Sequence, residues 1–293
     1  MSYKNYLYVL FKMYTKRKVS RQQNVNIKIV TRNNENFFIP YGWAKAYAIM
    51  NTLHSKNNNK EVSELNISKE GISFKYMGNS IIIDPARFSD PYAVFFNEEY
   101  NYLRVKGKVV IDIGANIGDS SIYFALRGAD IVYGFEPYPY AFAYALKNVS
   151  SNNLRNIILF NAGYGRDSNV LIDSEKISSN ESSLVHSSKG KEINIFSLKT
   201  ILTNHNISSA IIKMDCEGCE YAMLDEDDEV FNYIEMIQIE YHYGYDKLKE
   251  KLERVWFKVK YTEPKEIYYR EAKNQNMRVG YIYAERNPLW FEL

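Results

Sequence analysis

The sequence is short of cysteine. Its two thiols stand three residues apart in KMDCEGCEY, residues 213–221. Two cysteines cannot build the disulfide framework of a small secreted scaffold, and a zinc site needs two more ligands than this pair supplies. The stretch itself admits three readings: a redox pair, half of a zinc site, or an acidic cluster at a strand end with incidental thiols. Long apolar runs are also missing, and none approaches the roughly 20 residues that cross a bilayer. The basic start is not expected to be a secretory signal, because Lys12 and Tyr14 interrupt the apolar stretch behind it. The expected compartment is therefore cytoplasmic. An excess of one charge is absent too: 37 Lys and Arg face 35 Asp and Glu, a formal +2. No global field calls for a nucleic-acid partner. There is no internal repeat, and Asn-x-Ser triplets such as Asn66-Ile67-Ser68 read as chance in an Asn-rich chain.

What charge there is lies unevenly. Residues 1–34 carry eight Lys or Arg and no acid before Glu35. Tyr3, Tyr6, Leu7, Leu10, Phe11 and Tyr14 follow helical spacing, so 3–14 reads as an amphipathic helix with a basic flank from Lys16 to Arg21. Such a helix either docks on its own domain or on a second subunit of a homodimer, or lies on anionic headgroups, giving a peripheral membrane contact through residues 3–21.

From about residue 107 strands and helices alternate. KVVIDIG (108–114), DIVYGFEP (130–137), NIILFN (156–161), AIIKMD (210–215) and IEMIQIEYH (234–242) read as strands, the first a continuous apolar run of the kind buried on both faces. DSSIYFALRG (119–128), YAFAYALKNVSSN (140–152), GCEYAMLD (218–225) and GYDKLKEKLER (244–254) read as helices. WFKVKYTE (256–263) and RVGYIYAE (278–285) are expected to pair antiparallel. Five βα steps and a hairpin make a doubly wound α/β sheet with a reversed edge. Residues 164–196 interrupt it with a polar loop or small hairpin. Residues 1–95 form a separate α+β appendage: strands at 26–31, 36–42, 71–77 and 79–84, a helix at 43–55 and a turn at Met77-Gly78-Asn79. Residues 96–293 form the main domain.

The first strand of that domain ends DIGANIGDSS (112–121). A glycine turn between strand and helix lets a ligand reach the backbone and the helix N-terminus. It is not the dinucleotide fingerprint G-x-G-x-x-G, because no third glycine follows Gly118. An acid two residues before Gly114 suits a ligand with an ammonium group: the cation meets Asp112 and a carboxylate meets amides near Asn116 and Gly118. Glu136 ends the second strand, where an acid accepts hydrogen bonds from a ribose diol. Asn161, ending the third, is placed for an adenine edge. Amino acid, ribose and adenine together describe S-adenosylmethionine.

With these residues in place the chain resembles the FkbM family of class I S-adenosylmethionine-dependent methyltransferases. VIDIGANIGDSSIYFALRGA (110–129), VYGFEPYPYAFAYALKN (132–148), SLKTIL (197–202), IIKMDCEGCEYAML (211–224) and IQIEYH (237–242) carry the resemblance, which spans about 97–245. It implies a seven-stranded Rossmann-like sheet and methyl transfer to a hydroxyl, often of a sugar, glycan or glycolipid. Carried over, the cofactor positions are Asp112, Gly114, Asn116, Gly118, Glu136 and Asn161, with Asp215 near the reacting methyl. Glu99 and Tyr100 match a Glu-Tyr pair of the family that closes over the methionine end. Lys199 departs from the family pattern, which has Asp there.

An alcohol needs a general base to become a good nucleophile. His242 is the expected base, since its ordinary pKa suits neutral pH; Glu240, two residues before it, orients it or binds the acceptor. Asp215, Glu217, Glu240 and His242 also offer a divalent cation ligands, but methyl transfer does not require a metal and none is expected. Two other classes compete: a fold-keeping scaffold without catalysis, and a nicotinamide-dependent oxidoreductase, which the missing glycine disfavours. The family commonly has Asp-Val-Glu-Gly-Ala-Glu where this chain has Asp215–Glu220. Cys216 and Cys219 are therefore expected to be small buried hydrophobes, replaceable by Val and Ala with little loss.

Overall fold

The computed structural model describes residues 26–30, 36–54, 61–84, 91–172, 190–267 and 277–286. The basic segment 3–21 lies outside them. The chain divides into two compact units, Met1–Asn97 and Glu98–Leu293.

In the first unit, β1 (Asn26–Val30) pairs antiparallel with β2 (Asn36–Pro40), and a helix follows over Tyr41–His54. Strands β3 (Val62–Ile67), β4 (Ile72–Tyr76) and β5 (Asn79–Ile83) form an antiparallel meander. The alternation of β4 buries Ile72, Phe74 and Tyr76 on one face, where Phe95 meets Phe74 and Tyr76 edge-on at 5.1 and 5.3 Å. The expected turn is there: Met77 and Gly78 both take positive φ (48° and 80°), as a two-residue hairpin loop between right-twisted strands requires. Strand β3 has no clear pattern in the sequence. Its pairing with β4 shifts register between Ser63 and Asn66, and its central residues are mostly exposed.

In the second unit, β6 (Val109–Ile113), β7 (Ile131–Phe135) and β8 (Ile157–Phe160) run parallel, with β12 (Ala210–Met214) and β13 (Ile234–Tyr241) parallel on the other side of β6. Strand β16 (Met277–Arg286) lies antiparallel between β13 and β14 (Phe257–Tyr261). The order is β14-β16-β13-β12-β6-β7-β8, with the short β15 (Lys265–Ile267) beside β16. This is the doubly wound sheet with a reversed strand that the alternation predicts. The chain crosses from one half to the other between β6 and β12, so the carboxyl ends of those two strands form the crevice where such sheets bind ligands.

Two segments depart from the expected pattern. Part of 164–196 is a second small sheet, in which β11 (Lys191–Phe196) pairs parallel with β9 (Ala162–Tyr164) and antiparallel with β10 (Ser168–Ile172); residues 173–189 lie outside the described set. GCEYAMLD is not an α-helix. Cys219–Asp225 is a 3-10 helix, and a second covers Asp228–Tyr233. Gly218 enters the first in the left-handed region (φ 113°), after Glu217 at φ 56°.

Candidate active site

Asp112 is the last residue but one of β6 and has no exposed surface. Its carboxylate accepts hydrogen bonds from the hydroxyls of Ser120 and Ser121 at 2.7 and 2.6 Å. Lys213 Nζ lies 3.1 Å away and also donates to the carbonyls of Gly114 (2.7 Å) and Ile113 (3.3 Å). These bonds tie the carboxylate, expected to meet a ligand's ammonium group, to the glycine turn and the helix that follows it. Burial alone would lower the Lys213 pKa, but the charges of Asp112 and Asp215 outweigh it and raise it. The turn itself needs glycine. A Cβ on Gly114 (φ 79°) would sit 1.8 Å from the carbonyl oxygen of Asp215, because the ends of β6 and β12 touch there.

Glu136 follows β7 and is buried. Its two oxygens accept the backbone N–H groups of Asn116 (2.9 Å) and Tyr138 (2.8 Å). A carboxylate has about four acceptor sites, so capacity remains for a diol. Burial pushes its pKa up to about 7, against those two amide bonds. Asn161 differs from its expected role, for its amide braces the strand ends: Nδ2 donates to the carbonyls of Glu136 and Pro137 (2.9 and 3.0 Å), and Oδ1 accepts from Lys191 (2.7 Å). Between these strand ends lies a cavity of about 350 Å³ lined by Gly114, Phe135, Tyr138, Tyr164, Glu217 and Cys219, among others.

Beyond the 215–220 turn the charge balance changes. His242 is buried, and its Nδ1 lies 3.0 Å from Oε1 of Glu220, which also accepts the His242 backbone N–H at 2.9 Å. Glu220 is wholly buried, and its other oxygen accepts the N–H of Gly218 at 2.8 Å. His242 Nε2 faces Glu217 at 3.4 Å. Glu240, expected to orient His242 or to bind the acceptor, meets the hydroxyl of Tyr281 at 3.3 Å, and that hydroxyl is also hydrogen-bonded with Glu99. Tyr100 donates to Asp215 at 3.3 Å. Asp215, Glu240 and His242 still converge: one ligand atom from each lies within 4.8 Å of the others.

These groups perturb one another. Burial, then the nearby Asp215, pushes the Glu240 carboxyl up to about 9. Burial would lower the His242 pKa, but the Glu220 hydrogen bond and the charges of Glu220, Glu217 and Asp215 outweigh it and raise it to about 9. At neutral pH the imidazole is therefore held as a cation, and the expectation of an ordinary histidine pKa does not hold.

The cysteines depart furthest from expectation. Cys216 and Cys219 are joined in a disulfide, are only partly buried, and both line the cavity. Lys213, Glu220 and Tyr281 were not among the sequence candidates for this site. A lysine inside the otherwise apolar AIIKM was a visible signal for the first. Nothing local marks Tyr281, which a distant antiparallel strand brings to Glu240.

A doubly wound sheet with its reversed strand in this position, a glycine turn at the crevice and an acid after the second strand define a class I methyltransferase fold. The sequence profile described as the methyltransferase FkbM domain matches residues 112–268, more than half of the chain. The chain belongs to this family, and its methyl donor is S-adenosylmethionine. No curated protein matches it. Among solved structures it is similar to M. jannaschii TYW2 in complex with AdoMet, at 18% identity over 78% of this chain and 92% of that one, with a TM-score of 0.39. It is also similar to an rRNA methylase from Streptococcus thermophilus, at 13% identity over 66% and 95% of the two chains, with a TM-score of 0.38. Likenesses this distant add nothing to the assignment, which rests on the 112–268 match.

Proposed function

We propose that the protein transfers methyl to a hydroxyl oxygen of a sugar-bearing acceptor, a glycan or glycolipid. The observation that carries this reading is the meeting of two surfaces at the 215–220 turn: a cavity of donor size on one side and a carboxylate–imidazole cluster on the other.

The donor supplies an electrophilic methyl on a sulfonium, so the protein's work is alignment and proton removal. Gly114 and Gly118 let a ligand approach the backbone, and Glu136 retains acceptor sites for a ribose. Phe135, Tyr138 and Tyr164 offer apolar walls for a base. On the acceptor side, Glu220 holds His242 Nδ1, so that Nε2, once the imidazolium has lost its proton there, is the nitrogen that can take the hydroxyl proton. Asp215 and Glu240 can accept hydrogen bonds from further hydroxyls. Tyr281 and Tyr283 stack at 6.2 Å, and Tyr102 meets Tyr283 edge-on at 5.1 Å. All three are partly exposed, and Tyr281 and Tyr283 lie beside Glu240 and Glu99. Aromatic faces beside carboxylates suit a sugar ring, which is apolar on its C–H faces and polar at its rim.

A methyl-transfer screen against glycans and glycolipids, read by mass shift, tests the reading. Donor bound but no sugar hydroxyl methylated, with another acceptor class modified instead, would overturn the acceptor assignment. A second version is favoured by the 4.8 Å convergence of Asp215, Glu240 and His242: a divalent cation held there orients the hydroxyl. Loss of transfer in a chelator, restored by added Mg²⁺ or Mn²⁺, separates it from the metal-free version.

A further inference from the structure

The structure assigns a second chemistry to the donor cavity: Cys216–Cys219 is a thiol–disulfide exchange site that opens to an external dithiol and thereby sets donor affinity. The inference concerns the same cavity as the proposed function and rests on it for the ligand.

Three observations carry it. First, the bond is placed where a dithiol can reach it. Both cysteines are partly exposed and line the cavity together with Gly114 and Tyr164. A bond that only staples a core has no such access. Second, the four residues it closes, Cys216–Cys219, belong to the turn that bears the site. Asp215 precedes the bond, Glu217 lies inside it, and Glu220 follows it with its hold on His242. Third, this turn has little room to relax. Glu217 and Gly218 are both left-handed, and the Asp215 carbonyl lies where a side chain on Gly114 would be.

Reduction therefore cannot be local. Two unbonded sulfurs need van der Waals separation where a bond now holds them together. At least one must move into the cavity, or the turn must shift against Gly114. The exchange is balanced: one thiolate of the external dithiol attacks one sulfur, the other cysteine leaves as a thiolate and takes up a proton, and the second thiol resolves the mixed disulfide. Two electrons pass to Cys216 and Cys219, and the external dithiol becomes the disulfide. Where thiols are kept reduced, the disulfides that do form are usually transient ones of redox sensing or catalysis. The chain has no third cysteine to compete.

The test uses the full chain and S-adenosylmethionine binding by calorimetry, before and after treatment with dithiothreitol, with thiol content counted by alkylation and mass. The expected result is a dissociation constant five- to tenfold weaker in the reduced protein, reversed by reoxidation. Binding and redox are linked reciprocally, so saturating donor must make the bond harder to reduce by the same factor. Cys216→Val with Cys219→Ala should bind like one fixed state and ignore dithiothreitol. A bond that resists dithiothreitol in the folded protein overturns the inference, and so does equal donor affinity in both states. Absence of donor binding in the oxidised, folded protein would instead strike the proposed function. Thermal melts of both redox forms show whether a loss of affinity is only a loss of fold.

Discussion

The two turns that face each other across the β6–β12 crevice handle charge in opposite ways. The 112–118 turn is compensated. Asp112 is wholly buried, yet it has two serine hydroxyls and the Lys213 ammonium around it, and that ammonium is shared with two turn carbonyls. The 215–220 turn is not. Asp215, Glu217, Glu220 and Glu240 surround one imidazole, and both His242 and Glu240 are driven to about 9. A compensated buried charge builds shape, whereas an uncompensated cluster holds protons it can exchange. The first turn is thus scaffold for a ligand, and the second is where chemistry is expected.

Breaking the compensation should have the largest effect. Lys213→Met leaves Asp112 as a buried charge with only hydroxyl partners, and should cost about 3–5 kcal/mol of stability. Denaturant unfolding measures it. Adding Asp112→Asn should restore part of the loss, since the orphaned charge is gone. A single variant that loses less than about 1 kcal/mol would remove the distinction between the turns. For the same reason Asp112→Ala is a poor probe of donor binding.

Next in size comes the uncompensated side. His242→Asn should lower the transfer rate by about 10²–10⁴-fold if His242 takes the proton, with donor affinity little changed. The pH dependence has two opposed signs. Only neutral imidazole accepts a proton, so the rate should climb with pH toward a plateau above about 9. The folded state raises this pKa from its ordinary 6.5, so the imidazolium's contribution to stability is complete below about 6.5 and is lost as pH rises through about 9. Glu220→Gln weakens what holds the imidazolium and should move the rate profile to lower pH. A rate independent of pH between 6 and 9, with chemistry shown to be rate-limiting, would exclude His242 as the base.

The sequence carried the frame of this site well and its partnerships poorly. Strand ends are legible because a buried parallel strand is a short apolar run, and the residue that breaks it marks the crevice: Asp112, Glu136 and Asp215 all announce themselves so. What those carboxylates touch is not legible. Asp112 found Ser120 and Ser121 in the first turn of the helix that follows the glycine turn, but also Lys213 a hundred residues away. His242 took Glu220 from a neighbouring turn rather than Glu240 two residues before it, because alternate strand residues share a face without having to meet. The cysteine bond is hidden from the sequence for a related reason. Positions that the family resemblance gives to Val and Ala indicate size, and size says nothing about whether two thiols close a bond across a left-handed turn. The 3-10 helix at Cys219–Asp225 has the composition of an α-helix, and its left-handed glycine entry is shared by the α-helix that follows Gly118, so nothing local separates the two.

A smaller effect is expected at Glu136, where the comparison sharpens within the donor side. Its carboxyl sits at about 7 because burial outweighs two amide bonds. The ionised form is the better acceptor, so donor affinity should rise severalfold from pH 6 to pH 8, and Glu136→Gln should flatten that rise. Stability of the free protein runs the other way: a raised carboxyl pKa favours folding below about 4.5 and loses that contribution as pH rises through about 7. Calorimetry and thermal melts over one pH series check both signs.

The smallest effect separates acceptor from donor most cleanly. Tyr281 bridges Glu99 and Glu240 through a single hydroxyl while its ring stacks with Tyr283. Tyr281→Phe keeps the ring and removes the bridge between Glu99 and the Glu240 carboxyl. A lost hydrogen bond of this kind is worth about 0.5–1.5 kcal/mol, so the acceptor KM should rise by a few-fold to about tenfold while the donor dissociation constant stays put. Tyr283→Ala, which removes a face instead of a hydroxyl, should raise the same KM if a sugar ring packs there. If both variants weaken donor binding rather than acceptor binding, β16 belongs to the donor side, and the crevice divides along a different line from the one drawn between its two turns.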